Sequence, residues 1–183
     1  MTVSEFLIST YQQFLQALSS WLQKASDQTE EADSLMAARL APDMFPLSTQ
    51  VRFACLQAHE GVYRIQHEPF PASLEVLLNE GRNGENEPGT IMDAQTRIRE
   101  ALEFLQCVQL DAVESRVEQP VTIELPMPLA FDLESGQQYA RDWALPQFYF
   151  HIMAAYAILR HHGIDLGKAD YVAHMFAYQR PAG

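Results

Sequence analysis

The sequence predicts an all-α protein: a four-helix bundle with a short β-hairpin inserted between helices three and four. Four long segments repeat apolar residues at spacings of three and four, so each presents one stripe to a core. Two short runs of alternating apolar residues flank a Pro-Met-Pro turn, which is typical of a hairpin. Because 183 residues suit one ordinary core, we expect a single domain over 1–183, with the hairpin insertion at 118–134 and a tail at 164–183.

A segment punctuated by prolines separates the first two helices. The first stripe covers residues 3–25, and Ser4 is its expected cap. The second helix is expected over about 47–67, because Pro46 suits a first helical turn. Gly61 within it costs about 1 kcal/mol relative to alanine, which indicates the close approach of a neighbouring helix.

A polar loop and a capping motif precede the third helix. Residues 80–89, EGRNGENEPG, carry the glycines, asparagines and proline of a loop. Thr90 and Asp93 then have the spacing of a capping box, and apolar periodicity continues to about residue 108. The third helix is therefore expected to begin directly after Thr90.

The fourth helix carries a proline inside it. Ser135 and Gln138 have the spacing of a second capping box, and the apolar pattern runs to about residue 162. Gly163 is the expected left-handed stop. Because Pro146 has no backbone N–H to donate, we expect a distortion in the turn that precedes it.

Charge and cysteine content narrow the classes of partner and the compartment. The net charge of −12 argues against nucleic acid and anionic membranes, which need clustered lysine and arginine. No apolar stretch approaches the roughly 20 residues that span a bilayer, and the first residues lack a secretory pattern. Cys55 and Cys107 lie far apart and form no CxxC unit, which favours a reducing cytoplasm.

Histidine is the residue type from which the sequence offers a functional site. There is no GxGxxG, P-loop, HExxH or GxSxG motif. His59 and His151 both lie near the middle of a predicted helix, so neighbouring helices would place them at similar heights, where bundles hold metals. Cys55, one turn before His59, is a possible third ligand. The alternatives are hydrogen-bonded core histidines and a small buried thiol.

An aromatic stripe on the fourth helix offers a second candidate site. Trp143, Tyr149 and Tyr156 would line a cleft for a small-molecule ligand if their helix borders one. The same stripe is also typical of a core or of a dimer interface. The sequence leaves these readings open.

Three stretches of the chain resemble a known family. ARLAPDMFPLSTQV (38–51), PVTIEL (120–125) and ALPQFYFHIMAAYAILRHHGIDLGKADY (144–171) resemble an uncharacterised bacterial family. That family lies within the DinB/YfiT-like superfamily of four-helix bundles, which are regarded as metalloenzymes. The resemblance covers nearly the whole chain. It implies a DinB-like bundle that often forms a homodimer.

The resemblance also implies a metal site. The superfamily binds a divalent ion such as Zn²⁺ or Ni²⁺ through one histidine on helix two and two on the last long helix, spaced H-x3-H. By this likeness His59 takes the helix-two position and His151 the first position of the pair. Ala155 stands at the second, and its methyl group coordinates nothing.

Two functions from different classes follow. The first function is metal-assisted transfer or hydrolysis at an incomplete three-histidine site. An ion held by His59 and His151 would activate a small thiol or water. The second is a non-catalytic module that binds a small molecule or forms a dimer. The missing ligand at Ala155 favours the second.

Overall fold

The computed structural model describes residues 1–125 and 127–180 and contains eight α-helices and one hairpin in that part of the chain. The helices are α1 (Val3–Gln28), α2 (Leu47–Gln66), α3 (Ala72–Arg82), α4 (Ile91–Cys107), α5 (Leu110–Glu114), α6 (Gly136–Tyr139), α7 (Leu145–His161) and α8 (Lys168–Tyr171). Short 3-10 helices cover Ala32–Ala37 and Ala173–Tyr178, and a π-helical turn covers Ala140–Ala144.

The four long helices form the predicted bundle. Helices α1 and α2 each pack against both α4 and α7, and α1 also contacts α2 across the core. The apolar stripes of the four helices meet in one continuous cluster of buried side chains. No helix in the described part of the chain has the length and apolar character needed to cross a membrane.

Helix α3 is an element that the sequence analysis missed. We expected a loop over 80–89, but α3 continues to Arg82 before the turn begins. It packs on α2 through Leu74 and Leu77, which are buried, and through Gly81, where a Cβ atom would collide with Phe53. Its apolar face is short, so its periodicity is weak in the sequence alone.

The helix ends follow local hydrogen bonding. Thr2, not the expected Ser4, caps α1: its Oγ1 accepts from the Glu5 amide at 3.2 Å, while Glu5 accepts from the Thr2 amide at 2.7 Å. The expected capping box of Thr90 and Asp93 is confirmed, with bonds of 3.1 and 2.8 Å. The two boxes satisfy backbone donors that the first turn leaves free.

Two backbone expectations inside helices are also confirmed. A Cβ atom at Gly61 would collide with the hydroxyl of Tyr11 on α1, so glycine permits this close approach. The turn before Pro146 is distorted as expected, and the distortion takes the form of the π-helical turn at Ala140–Ala144. Gly163 follows α7 with a φ of 87°, the left-handed stop.

The hairpin consists of two short strands, β1 (Val121–Glu124) and β2 (Ala130–Leu133). They pair antiparallel, with Val121 opposite Leu133 and Glu124 opposite Ala130. Val121 and Ile123 point into the core, while β2 is mostly exposed. The predicted Pro-Met-Pro turn includes Pro126, which lies outside the described residues.

The tail returns to the bundle through Trp21. This side chain on α1 is completely buried, and its Nε1 donates to the carbonyl of Asp170 at 3.1 Å. Tyr171 stacks on the indole with the ring centroids 5.6 Å apart. The segment after α7 is therefore packed against the bundle at least as far as α8.

Candidate functional site

His151 is buried in the bundle and hydrogen-bonded to α2. Its Nδ1 lies 2.8 Å from Oε1 of Gln50, and only 8% of the residue is exposed. The rings of Phe53 and Phe150 contact the imidazole edge to face, each with centroids 5.3 Å apart. Helix α7 thus positions His151 against the first turns of α2.

The hydrogen bonds around Gln50 fix the proton on this histidine. The amide nitrogen of Gln50 donates to the carbonyl of Phe45 at 3.2 Å, so its Oε1 is turned toward His151 as an acceptor. Nδ1 must therefore donate, and Nε2 carries the lone pair. Burial lowers the pKa of His151 to about 4, so the ring is neutral at physiological pH.

His59 lies on the opposite side of α2. His59 is nine positions beyond Gln50, which is about 2.5 turns and roughly 13.5 Å along the helix. The His59 ring stacks on Phe104 of α4 at a centroid distance of 4.2 Å, whereas Gln50 meets His151 of α7. The expectation that mid-helix position would bring His59 and His151 together is therefore not met, because their helix faces diverge.

The environment of Cys55 and His59 suits neutral packing. Cys55 is fully buried, and desolvation raises the pKa of its thiol to about 12. Burial lowers the pKa of His59 to about 4, although the nearby carboxylate of Glu100 opposes the shift. The thiolate form that binds metals is thus strongly disfavoured at Cys55.

These residues do not fit the three-ligand metal site that the resemblance implies. Within residues 1–125 and 127–180, no group of three His, Cys, Asp or Glu side chains converges in a way that would hold an ion. The α2 residue that hydrogen-bonds to His151 is Gln50, and Ala155, one turn further along α7, offers only a buried methyl group. A catalytic zinc normally requires three protein ligands, and this position offers one histidine.

The three aromatic residues of the second candidate site do not line one common cavity. Trp143 packs on Phe131 of the hairpin. Tyr156 contacts Trp21 near the tail. Tyr149 lines a cavity between the beginnings of α1 and α7, and neither Trp143 nor Tyr156 is among the residues that line it.

That cavity, called here the apolar cavity, has a volume of about 520 Å³. Most of its lining is apolar, and the π-helical turn forms part of its wall. The apolar lining residues are Met1, Val3, Phe6, Ala140, Leu145, Pro146 and Tyr149. Polar atoms enter from Thr2, Gln137 and Arg141, and the Arg141 guanidinium already donates to Asp142 at 2.6 and 2.7 Å.

Two features of the structure were not predicted from the sequence, the Gln50–His151 hydrogen bond and the apolar cavity. Gln50 escaped notice because it sits beside the apolar stripe of α2 and follows Ser48 and Thr49, a run that resembles a helix start. The apolar cavity escaped because α1 and the turn before α7 are far apart in sequence. The available signal was Pro146, since π-helical turns recur at functional sites.

A comparison with known protein families identifies the chain. The model of the Domain of unknown function DUF1993 matches residues 4–172. The chain belongs to this family. A solved structure of a DinB family member protein from Shewanella denitrificans is also similar, with a TM-score of 0.74 and 29% identity over 95% of this chain and 93% of that one. No curated protein matches the chain.

For this DUF1993 protein, the comparisons agree with the helical bundle seen in the structure. The resemblance inferred from the three sequence stretches is confirmed, and so is the DinB-like helical bundle with a small hairpin. Neither comparison assigns a reaction to this chain.

Proposed function

We propose that this DUF1993 protein is a non-catalytic module that binds a small apolar molecule in the apolar cavity. The observation that supports the proposal is the size and lining of that cavity. Its volume of about 520 Å³ falls within the roughly 300–1,000 Å³ of typical ligand pockets, which are mostly apolar with a few polar groups.

The chemistry of the lining defines the ligand class. Phe6 is 49% exposed, so burying its ring under a ligand would remove apolar surface from water. Arg141 is already paired with Asp142, and it therefore offers no unpaired charge. Thr2 and Gln137 are the neutral polar residues of the lining. The cavity favours a neutral, mainly apolar molecule with at most one hydrogen-bonding end.

The π-helical turn gives the cavity its place in the fold. Pro146 removes a backbone donor, and the wider turn at Ala140–Ala144 absorbs the mismatch at the point where α7 begins. Ala140 and Leu145 consequently border the cavity together with Tyr149. An ordinary helix here would present different side chains to α1.

A neutral fluorescent probe tests this proposal. We expect N-phenyl-1-naphthylamine to bind saturably to the wild type, and Phe6→Asp to weaken binding about tenfold or more, because a carboxylate would enter an apolar site. Phe176→Asp is the matched control, since Phe176 is 57% exposed and does not line the cavity. Non-saturable binding, or equal binding by both variants, would contradict the proposal.

Metal-assisted transfer or hydrolysis is the function that the resemblance favours and the side chains do not support. One histidine, one glutamine and one alanine occupy the region that would hold the ion.

A specific observation favours a second function, self-association as a homodimer. From Trp143 to Leu159 the chain has no Asp, Glu, Lys or Arg, yet Phe150 and Met153 on α7 are 57% and 49% exposed. A helix that is apolar all round is usually buried. In a chain of net charge −12, this uncharged face is where two copies would meet with least repulsion.

Sedimentation velocity tests the dimer. We expect a concentration-dependent dimer in the wild type and a monomer in Phe150→Asp, with Met92→Asp on α4 as the control, since Met92 is an apolar residue that is 77% exposed on another helix. A wild-type monomer across the micromolar range would remove this function. Because the probe experiment uses Phe6, the two candidate functions fail independently.

A further inference from the structure

A second concave region lies on the α4 side of α2, between α2, the end of α3 and α4. Its volume is about 460 Å³, and it shares no lining residue with the apolar cavity. Its charged lining residues are Arg52, Glu80, Glu87, Asp93, Arg97 and Glu100. We call it the Arg52 cleft.

Arg52 is nearly buried at the floor of this cleft, with 7% of its side chain exposed. Its Nη1 donates to the carbonyl of Pro88 at 3.0 Å. Its Nε is buried and has no hydrogen-bond partner among the described residues, and the Glu80 carboxylate lies 3.8 Å away. A guanidinium has five donors, so most of those on Arg52 are unused.

Gly89 keeps one edge of this guanidinium open. Its φ of 70° is a left-handed conformation, and a Cβ atom there would lie 3.0 Å from Nη2 of Arg52. Glycine therefore suits this position on both grounds. Without a side chain at Gly89, Nη2 faces the cleft.

Arg97, in the same cleft, shows the opposite state. Its Nε donates to Glu80 at 2.9 Å and its Nη1 to Glu100 at 2.7 Å, while Nη2 bonds to the second oxygen of Glu80. The Glu80 carboxylate is thus engaged by Arg97 in a two-point pair. It cannot also satisfy Arg52, which lies beyond hydrogen-bonding distance.

The remaining carboxylates define the other wall of the cleft. Asp93 uses Oδ2 to accept from the amide and the hydroxyl of Thr90, both at 2.8 Å. Glu87 is exposed and makes no ion pair in the part of the chain that the structure describes. Glu100 is half exposed and uses Oε2 to accept from Arg97, so its Oε1 is the oxygen turned to a ligand. A cationic floor therefore faces an anionic rim.

We infer that the Arg52 cleft binds a small zwitterion, whose carboxylate pairs with Arg52 and whose ammonium group pairs with Glu87 and Glu100. A simple anion would have to enter among four carboxylates, which repel it. A simple cation would leave the buried donors of Arg52 without acceptors. A molecule that carries both charges satisfies both sides.

A titration of the ¹⁵N-labelled full chain with ω-amino acids tests this inference. The series runs from glycine through 4-aminobutyrate to 6-aminohexanoate, so that the separation of the two charges increases. Butyrate and butylamine are the matched halves of 4-aminobutyrate. We expect at least one zwitterion to bind about tenfold more tightly than its separate halves, with shifts centred on the Gly89 amide and the Arg52 Nε–H.

Two variants assign the contacts. Arg52→Lys keeps the positive charge but loses the planar fork, and we expect it to weaken binding about tenfold. Because Glu87 is exposed, Glu87→Gln should fold normally. We expect it to weaken binding of the ammonium group. Glu103→Gln is its control, an exposed glutamate on α4 that does not line the cleft.

Several results would overturn the inference. Binding of butyrate alone at equal affinity would indicate a simple anion site, and equal binding of butylamine would indicate a non-specific acidic surface. No binding across the series would remove the site. If Glu87→Gln and Glu103→Gln bound the zwitterion with identical affinity, the inferred ammonium contact would be wrong. This comparison holds even if Arg52→Lys failed to fold.

Discussion

The two sides of α2 differ in how completely their buried polar side chains are hydrogen-bonded. On the side that faces α7, Gln50 and His151 bond to each other, and Gln50 uses its other end on a backbone carbonyl. On the side that faces α4, Arg52 is equally buried but has one hydrogen bond, to Pro88, among the described residues. The two α2 residues are separated by a single position in the sequence.

The difference shows where unused polar capacity remains. A glutamine and a neutral histidine have few donors and acceptors, so one bond between them satisfies much of what they offer. A guanidinium has five donors, and the Glu80 carboxylate beside it is engaged by Arg97. The family likeness draws attention to His151 and its contact with α2, but the guanidinium with unused donors, Arg52, lies on the opposite face of α2.

The largest expected effect is the gain of metal binding when histidines are introduced on the side of α2 that faces α7. Protein purified without a histidine tag should contain less than about a tenth of an equivalent of metal, because three ligands are normally required. Gln50→His with Ala155→His should bind about one equivalent of Zn²⁺ or Ni²⁺, since residue 50 already reaches His151 and residue 155 lies one turn further on. Elemental analysis measures both.

Two further substitutions in that double variant distinguish the two histidines. His151→Ala should abolish binding, and His59→Ala should leave it unchanged, because His59 lies on the α4 side. Stoichiometric metal in the wild type that is lost in both His59→Ala and His151→Ala would instead support the site predicted from the sequence.

The next effect concerns pH and the neutral ring of His151. The pKa of His151 is about 4 in the folded chain and 6.5 in the unfolded chain. Between these two values the unfolded chain binds a proton that the folded chain does not bind. The neutral ring therefore contributes its whole stabilisation above about pH 6.5. The free energy of unfolding falls by about 3 kcal/mol as the pH drops toward 4. Urea unfolding of His151→Gln should show a loss about 3 kcal/mol smaller than that of the wild type, because His59, whose pKa is also about 4, contributes its own loss to both proteins.

The control for that experiment is an exposed histidine. His162 lies just beyond α7 and is exposed, so His162→Gln should keep the wild-type pH dependence. If His151→Gln and the wild type lose stability in parallel between pH 7 and pH 4, the neutral, buried state of His151 is wrong.

The smallest effect isolates the Gln50–His151 bond itself. Gln50→Leu leaves the Nδ1–H donor of His151 buried without an acceptor, which should cost about 1–3 kcal/mol of unfolding free energy. Removing both partners in Gln50→Leu with His151→Leu should recover much of that loss, because two apolar side chains need no bond. Strictly additive losses in this cycle would show that the two side chains are not coupled.

Much of the fold follows from patterns that are local in the chain. The capping box at Thr90, the distortion before Pro146 and the stop at Gly163 depend on residues within one turn of each other, and the structure confirms all three. Helix α3 was missed because its stability comes from packing on α2, where Gly81 meets Phe53. Such contacts leave little trace in a short apolar pattern.

The candidate site was harder to predict because it depends on how each helix is rotated about its axis. Mid-helix position correctly marks His151 as interior, but height alone does not determine which face of α2 it meets. That rotation is set by the whole core. For the same reason, Arg52 reads in the sequence as an ordinary charged residue, and the loop that covers it is 36 positions away.

The buried indole of Trp21 supplies an optical reporter of the tail. The chain has two tryptophans, and the other, Trp143, contacts the hairpin. In a Trp143→Phe background, emission would come from an indole that is hydrogen-bonded to Asp170 and stacked on Tyr171. Detachment of the last segment would hydrate that indole and shift its emission to the red, so undocking of the terminus can be followed in solution without a label.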